Sequence, residues 1–408
     1  MKLRLGNTVV IGMAALSISV LWQAYNWLVP LYLDGYLRGL TGGNEFLIGV
    51  VMGLDNLFAV AMLPFVTALS DRHKRETGSR MKLIALGVTT AGAAFCCLPL
   101  VRYNLFLMLL TLAAVLTAMN LYRAPAAALM PDVTPPPLRG KANAVINIMG
   151  GAGTALGYVL LFGGGQAGVD SGFVVCAVAA VMFFCLAVLL FKTDETPPLP
   201  SALLPAPKEK KTAPAENRKG RFFVLAAVFF YFMAVNAVET FMSIYSVRVL
   251  GDSTAGLTLM AALAAGSFVF LYPSAALAQK FGEKNVVLCG ACLMSVGGAA
   301  CSLFPAPSAS LPAFFVIGVG MAFMVANMYP LVLSFCGKDD FARYTGYYYA
   351  ATMLAQTVTP ALAGLLFSPW LLGSMRALMP YSSLFMILAA AALYFAPDDV
   401  QNSLSPRI

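Results

Sequence analysis

The feature that most constrains this chain is a series of apolar segments, each long enough to cross a hydrocarbon core of about 30 Å as a helix of roughly 20 residues. Twelve such windows, separated by charged or turn-forming residues, fall near 8–30, 45–69, 81–101, 105–130, 140–162, 172–191, 221–247, 253–277, 285–304, 311–335, 341–366 and 377–396. Membrane β-strands would be roughly ten residues long and alternate in polarity, so a barrel is excluded. Composition closes the other route. The chain is 60% hydrophobic and 11% charged, where a soluble domain carries about 25% charged residues. A water-soluble enzyme would lack the charges to face solvent. The sequence therefore reads as an all-α polytopic membrane protein and not as an enzyme.

The net charge of +8 does not point to nucleic acid, because the basic residues punctuate apolar segments and form no patch interleaved with aromatics. With the N-terminus placed inside, the inner segments hold 21 of the 26 Lys and Arg. The outer loops hold four, Arg38, Arg102, Arg248 and Arg376, and Arg123 lies within a span. This asymmetry follows the positive-inside rule and predicts a multi-pass cell-membrane protein with both termini cytoplasmic. Lys2 and Arg4 before an apolar run imitate a signal peptide. The run continues to Pro30, and its loss would leave an odd span count, so cleavage is not expected.

The segment 192–220 carries six prolines and mixed charge, a composition that cannot bury a core and predicts a flexible cytoplasmic linker. It divides the chain into an N-terminal six-helix bundle, 1–191, and a C-terminal one, 221–408. At a constant offset of 207, Gly49 aligns with Gly256, Asn120 with Asn327, Tyr122 with Tyr329, Asp132 with Asp339 and Gly157 with Gly364. Parallel repeats of this kind place a substrate site at midplane between two halves that rock, which favours a transporter over a channel. Gly150, Gly151, Gly153 and Gly157 are expected to allow close helix packing. No phosphate loop or nucleotide-binding domain is present. Cys289 and Cys292 form a CxxC pair inside an apolar span, where packing is the expected role. With His73 the single histidine, neither a metal site nor a cofactor is expected.

The stretch Leu69-Ser-Asp-Arg-His-Lys-Arg-Glu-Thr-Gly-Ser-Arg80, between spans two and three, resembles the inner-loop signature of the major facilitator superfamily. Its extended basic run before the glycine is similar to the glycoside–cation symporter and sucrose-transporter branch. Pro125, Asp132 and Gly153-Thr-Ala-Leu-Gly-Tyr158 also resemble that branch, as do Leu54-Asp-Asn56, Tyr122-Arg-Ala-Pro125 and Asn143-Ala-Val-Ile-Asn147. The resemblance implies twelve spans in two pseudo-symmetric six-helix bundles, a monomer, and a sugar or glycoside as ligand. In it, Asp71, Arg72, Arg80 and Asp132 would be gating residues where inner helix ends meet. There are departures. The two sodium-binding aspartates of melibiose-type carriers fall on Ala59 and Leu63, which cannot ligate a hard cation. The acid of plant sucrose carriers has no counterpart in 105–122, and the first signature glycine is Thr67.

Coupling must then rest on the few ionisable groups inside the spans, each a functional candidate by default. Asp55 and Glu239 are the candidates for proton coupling, since a low-dielectric cavity favours the neutral form of a carboxyl. Asp34 and Glu45 flank the first outer loop, where a solvated role is expected. Arg123 could meet a substrate hydroxyl or carboxylate. Polar and aromatic side chains that would suit a saccharide are Trp22, Gln23, Tyr25 and Asn26 in span one, Asn120 and Tyr122 in span four, and Asn236 in span seven. Asn327 and Tyr329 in span ten and Tyr348 and Gln356 in span eleven complete the set. Trp27 has the alternative role of a membrane-interface anchor. The functional expectation is proton-coupled uptake of a sugar or glycoside by alternating access. Its rivals are a proton-coupled exporter of amphiphilic drugs or metabolites and a ligand sensor without net transport.

Overall fold

The protein is described from a computed structural model that covers residues 3–41, 44–135, 138–195, 218–335 and 341–397. Among these residues it is helical throughout, with no strand. Twelve helices are long and apolar enough to cross a membrane. They are α1 (Leu5–Thr41), α2 (Glu45–Thr77), α3 (Met81–Val101), α4 (Leu105–Val133), α5 (Arg139–Gln166) and α6 (Ser171–Lys192), then α7 (Arg218–Arg248), α8 (Ala255–Phe281), α9 (Glu283–Leu303), α10 (Pro307–Ser334), α11 (Phe341–Phe367) and α12 (Leu378–Phe395). Hydrocarbon offers no partner to a backbone amide, so each crossing segment closes its hydrogen bonds within itself.

The helices fall where the apolar windows place them, and the differences lie at the ends. Helix α1 continues through Pro30 to Thr41, because one lost backbone bond does not end a helix whose freed carbonyl can be re-satisfied by neighbours. At 1.5 Å per residue its 37 residues extend for about 55 Å, well beyond a bilayer core. Helix α2 runs on to Thr77, eight residues past the apolar window. An i,i+4 pair of Arg72 with Glu76 at 2.8 Å supports that polar extension.

The chain forms two compact units, one from Met1–Gly39 and Asp55–Lys208, the other from Leu40–Leu54 and Glu209–Ile408. The first ten residues of α2 thus pack with the later helices. Most of the linker, 196–217, and Asp339 of the repeat lie outside the described residues.

In the first unit α3 packs against α4 and α6, and α5 lies against α1 along a glycine seam. A Cβ on Gly153 would run into the Leu16 backbone, and one on Gly157 would come within 2.7 Å of the Gln23 side chain. Gly151, by contrast, faces open space. Asn104 and Asp170 cap α4 and α6, accepting from the N–H of Leu107 and of Gly172. In the second unit α10 is the central helix, packed on α8 and α9, with Gly318 pressed onto the Leu263 carbonyl.

Many polar side chains inside the spans spend their hydrogen bonds on their own helix. Asn120 donates to the Leu116 carbonyl at 2.9 Å and Asn327 to the Phe323 carbonyl at 2.9 Å, so the two positions hold the same local bond. Thr357 donates likewise to Met353, while the Thr359 hydroxyl lies between the Ala355 carbonyl and the Met233 sulfur of α7.

Gly153→Leu is expected to lower stability by about 1–3 kcal/mol through overpacking against α1. Gly151→Leu, in open space, is expected to leave the melting temperature of the detergent-purified protein unchanged. Thermal unfolding followed by intrinsic fluorescence checks both.

Candidate functional site

Charge in this fold is gathered in a few places, and each has a distinct geometry. Where α2 turns into α3, Arg80 is the hub of a network. Its Nε donates to Asp132 Oδ2 at 2.8 Å, Nη2 pairs with Asp71 Oδ1 at 2.7 Å, and Nη1 donates to Ser70 Oγ at 2.5 Å. Lys74 Nζ adds a contact to the second Asp132 oxygen at 2.7 Å. Burial works against the guanidinium charge. Hydrogen bonds to Asp132 and Asp71 outweigh it and hold the Arg80 pKa above its ordinary value. Three of the four expected gating residues therefore meet. Arg72 does not join them; it reaches Glu76 on the exposed side of α2. Lys74 and Ser70 take part instead.

A second pair was not expected from the sequence. Glu45, expected to be solvated, is 4% exposed and forms an ion pair with Arg248 at the end of α7. Beside it, the start of α2 is seated on α11. A Cβ on Gly49 would strike the Pro360 carbonyl, and one on Gly364 would strike the Glu45 carbonyl. Asp34 also departs from expectation, being buried and paired with Arg38 at 3.6 Å. The signal available in the sequence was that Glu45 and Arg248 both sit at span ends on one predicted side; their separation of 203 residues hid the pairing.

Each unit has a cavity of its own. In the first, Arg123 of α4 and Asn143 of α5 share a cleft of about 580 Å³, its open mouth included, with Ile11, Ala14 and Ile18 of α1. In the second, Glu239 of α7 lines a cavity of about 460 Å³, its open mouth included. Met260 of α8, Met294 of α9, Phe314 and Met321 of α10, and Met379 and Ser382 of α12 form much of its wall. Among the described residues Glu239 has neither a hydrogen bond nor an ion pair. Asp55 has a different setting. It accepts from the Asn56 side chain at 2.7 Å and lies within electrostatic reach of Tyr25.

The saccharide candidates divide by burial. Tyr25, Asn120, Tyr122 and Asn327 are buried, the last two amides engaged on their own helices as above. Trp22, Gln23 and Asn26 are half-buried, with the Trp22 ring edge-on to Tyr25 at 5.1 Å. In the second unit Tyr329 stacks edge-on with Tyr348 at 5.2 Å and shares a hydrogen bond with Thr345. Gln356 is half-buried, and Asn236 holds a buried side-chain oxygen without a protein partner. No group of three or more His, Cys, Asp or Glu suited to a metal ion occurs among the described residues.

Arg80→Ala is expected to cost about 2–3 kcal/mol, less than the roughly 3–5 of a fully buried broken pair because Asp71 is half-exposed. Arg80→Lys is expected to recover only part of that, since an ammonium cannot reproduce the three-way fork. Arg72→Ala should leave the unfolding midpoint in place. Thermal unfolding of the three variants in one detergent checks the series.

The comparisons agree on the fold. The bacterial homologue of the human lysosomal transporter Spinster, solved inward-facing and occupied, superposes with a TM-score of 0.71 at 15% identity, covering 99% of this chain and 98% of that one. A D-xylose–proton symporter gives 0.72 at 13% identity, covering 96% and 97%. A peptide transporter, POT, in complex with sulfate gives 0.68 at 11%, covering 96% and 94%. No curated protein matches the sequence significantly. The family description Major Facilitator Superfamily matches residues 8–271 and 251–407. Twelve membrane-spanning helices and that match, over nearly the whole length, make this chain a multi-pass membrane transporter of the Major Facilitator Superfamily.

Proposed function

We propose that this protein is a proton-coupled secondary transporter of a small organic amphiphile, working by alternating access, with Glu239 as the carboxyl that carries the proton. The observation that carries the reading is the setting of Glu239, a lone acid on the wall of a methionine-lined cavity with no ion-pair partner among the described residues. Such a group is neutralised by a proton or by its ligand, and exchange between the two couples their movements. Coupling requires that proton and ligand each bind different conformations with different affinity. Asp55, already engaged with Asn56, is the secondary candidate. In this reading the network around Arg80 holds one conformation shut.

Both cavity linings are mainly apolar, each with a single charged side chain. A polyhydroxylated ligand needs many hydrogen-bonding partners, and every polar group left unmatched costs roughly 1–3 kcal/mol. The linings thus favour an amphiphile, and export in exchange for protons is the direction that suits it. Uptake of a sugar or glycoside is the second reading. It is favoured by Trp22, Gln23 and Asn26, which stay half-buried on α1, and its fold is one that a D-xylose–proton symporter also uses.

Reconstituted proteoliposomes with an imposed pH gradient test the proposal, using a panel of amphiphiles and a panel of mono- and disaccharides. Flux of amphiphiles should follow the gradient and fall by roughly tenfold or more in Glu239→Gln, while Asp55→Asn keeps a measurable part. A pH-dependent current specific to sugars would transfer the conclusion to the second reading. Silence toward both panels, with folded protein in the membrane, would overturn proton-coupled transport.

A further inference from the structure

We propose that the cavity around Glu239 is a binding site for a small organic cation with an apolar body, such as a substituted quaternary ammonium. The inference deepens the transport reading above and rests on it only for the exchange step. Four methionines from four helices, Met260, Met294, Met321 and Met379, line the same cavity as Glu239, and Phe314 is buried in its wall. Thioether side chains are flexible and polarisable, so they mould to apolar groups of varied shape. The carboxylate supplies the one full charge on the wall, and no Lys, Arg or His lines the cavity.

The wall discriminates by charge. An anion would meet the Glu239 carboxylate with no basic group to offset it. A neutral ligand would shut that carboxyl away from water without a partner, and so require it to stay protonated. A cation alone compensates the ionised form, and its apolar part gains from leaving water. When it binds, the carboxyl proton leaves to solvent, so one positive charge replaces another.

The electrostatic surroundings leave the exchange to Glu239. Among the described residues, Tyr231 on the same helix lies within its electrostatic reach. From the elements packed on α7, α8 and α10 contribute only apolar side chains to the cavity, and α12 contributes Met379 and Ser382. On α11, Tyr348 acts on Tyr231, and Arg376 of the short turn before α12 acts on Tyr245. Because a proton and the cation compete for one carboxyl, cation affinity should rise with pH.

The test is binding of three probes of similar shape to the purified full-length transporter, read by saturation-transfer NMR. Benzyltrimethylammonium is the cation, neopentylbenzene its neutral isostere and phenylmethanesulfonate the anion. The cation should bind at about pH 8 and weaken by roughly tenfold or more on acidification to about pH 5.5, because each tenfold is a modest change in binding free energy. Glu239→Gln should weaken it as much at the higher pH and abolish the pH dependence, leaving neopentylbenzene unaffected. Met294→Trp, which fills the cavity and keeps the carboxyl, should also lose the cation, so the proposal does not depend on one variant folding. Equal cation binding by wild type and Glu239→Gln, anion binding as strong as cation binding, or no cation binding by folded wild type would each overturn it. Cation binding without proton-driven flux in proteoliposomes would support the site and overturn the transport reading. Proton-driven flux of other solutes by protein that binds no cation would do the reverse.

Discussion

A peptide N–H in hydrocarbon has no water to turn to, and leaving it unbonded costs several kcal/mol, so a chain with this many apolar segments must fold into helices that close their own ladders. Everything else in the molecule follows from that. Helices without polar seams are held together by close contact, which is why Gly153 lies on the Leu16 backbone and Gly318 on the Leu263 carbonyl. Charges that cannot be closed within a helix are pushed to helix ends, where they pair, or into cavities, where they face water.

Those two fates produce opposite chemistry. Arg80 is only 7% exposed as a side chain, yet it is compensated on three sides by Asp132, Asp71 and Ser70. Glu45 and Arg248 compensate one another while the start of α2 rests on α11. Groups so engaged resist change in their surroundings and serve as fixed points. Glu239 has no such partner among the described residues. In the proposed reading its charge is balanced by what enters the cavity, so it would respond where the others hold.

Much of this was legible in the sequence, because crossing helices announce themselves by length and apolarity alone. Their ends were not: Pro30 reads as a stop, but tolerance of proline depends on neighbours that the local sequence does not show. The network around Arg80 was legible through its signature, while the choice of Lys74 over Arg72 was a matter of helical phase. Asp71 and Lys74, three apart, share a face of α2, and Arg72 is turned toward Glu76 on another. The offset that aligns Asn120 with Asn327 points to a shared site role, whereas the structure shows each amide bonded within its own helix. The cavity around Glu239 was not legible. Met260, Met294, Met321 and Met379 come from separate helices, and an apolar face toward a cavity reads the same as one toward lipid.

The habit of bonding back to one's own helix has a mechanical consequence. Because Asn120, Asn327 and Thr357 carry their hydrogen bonds with them, a helix that slips a fraction of a turn past its neighbour keeps those donors satisfied and breaks only the few cross-helix links, such as Thr359 to Met233 and Tyr329 to Thr345. Elsewhere such movement is resisted by shape, as where Gly153 is pressed on the Leu16 backbone. Polar resistance is thus concentrated at a few links and charged pins such as Arg80, so the stiffness of each unit can be tuned by a handful of residues.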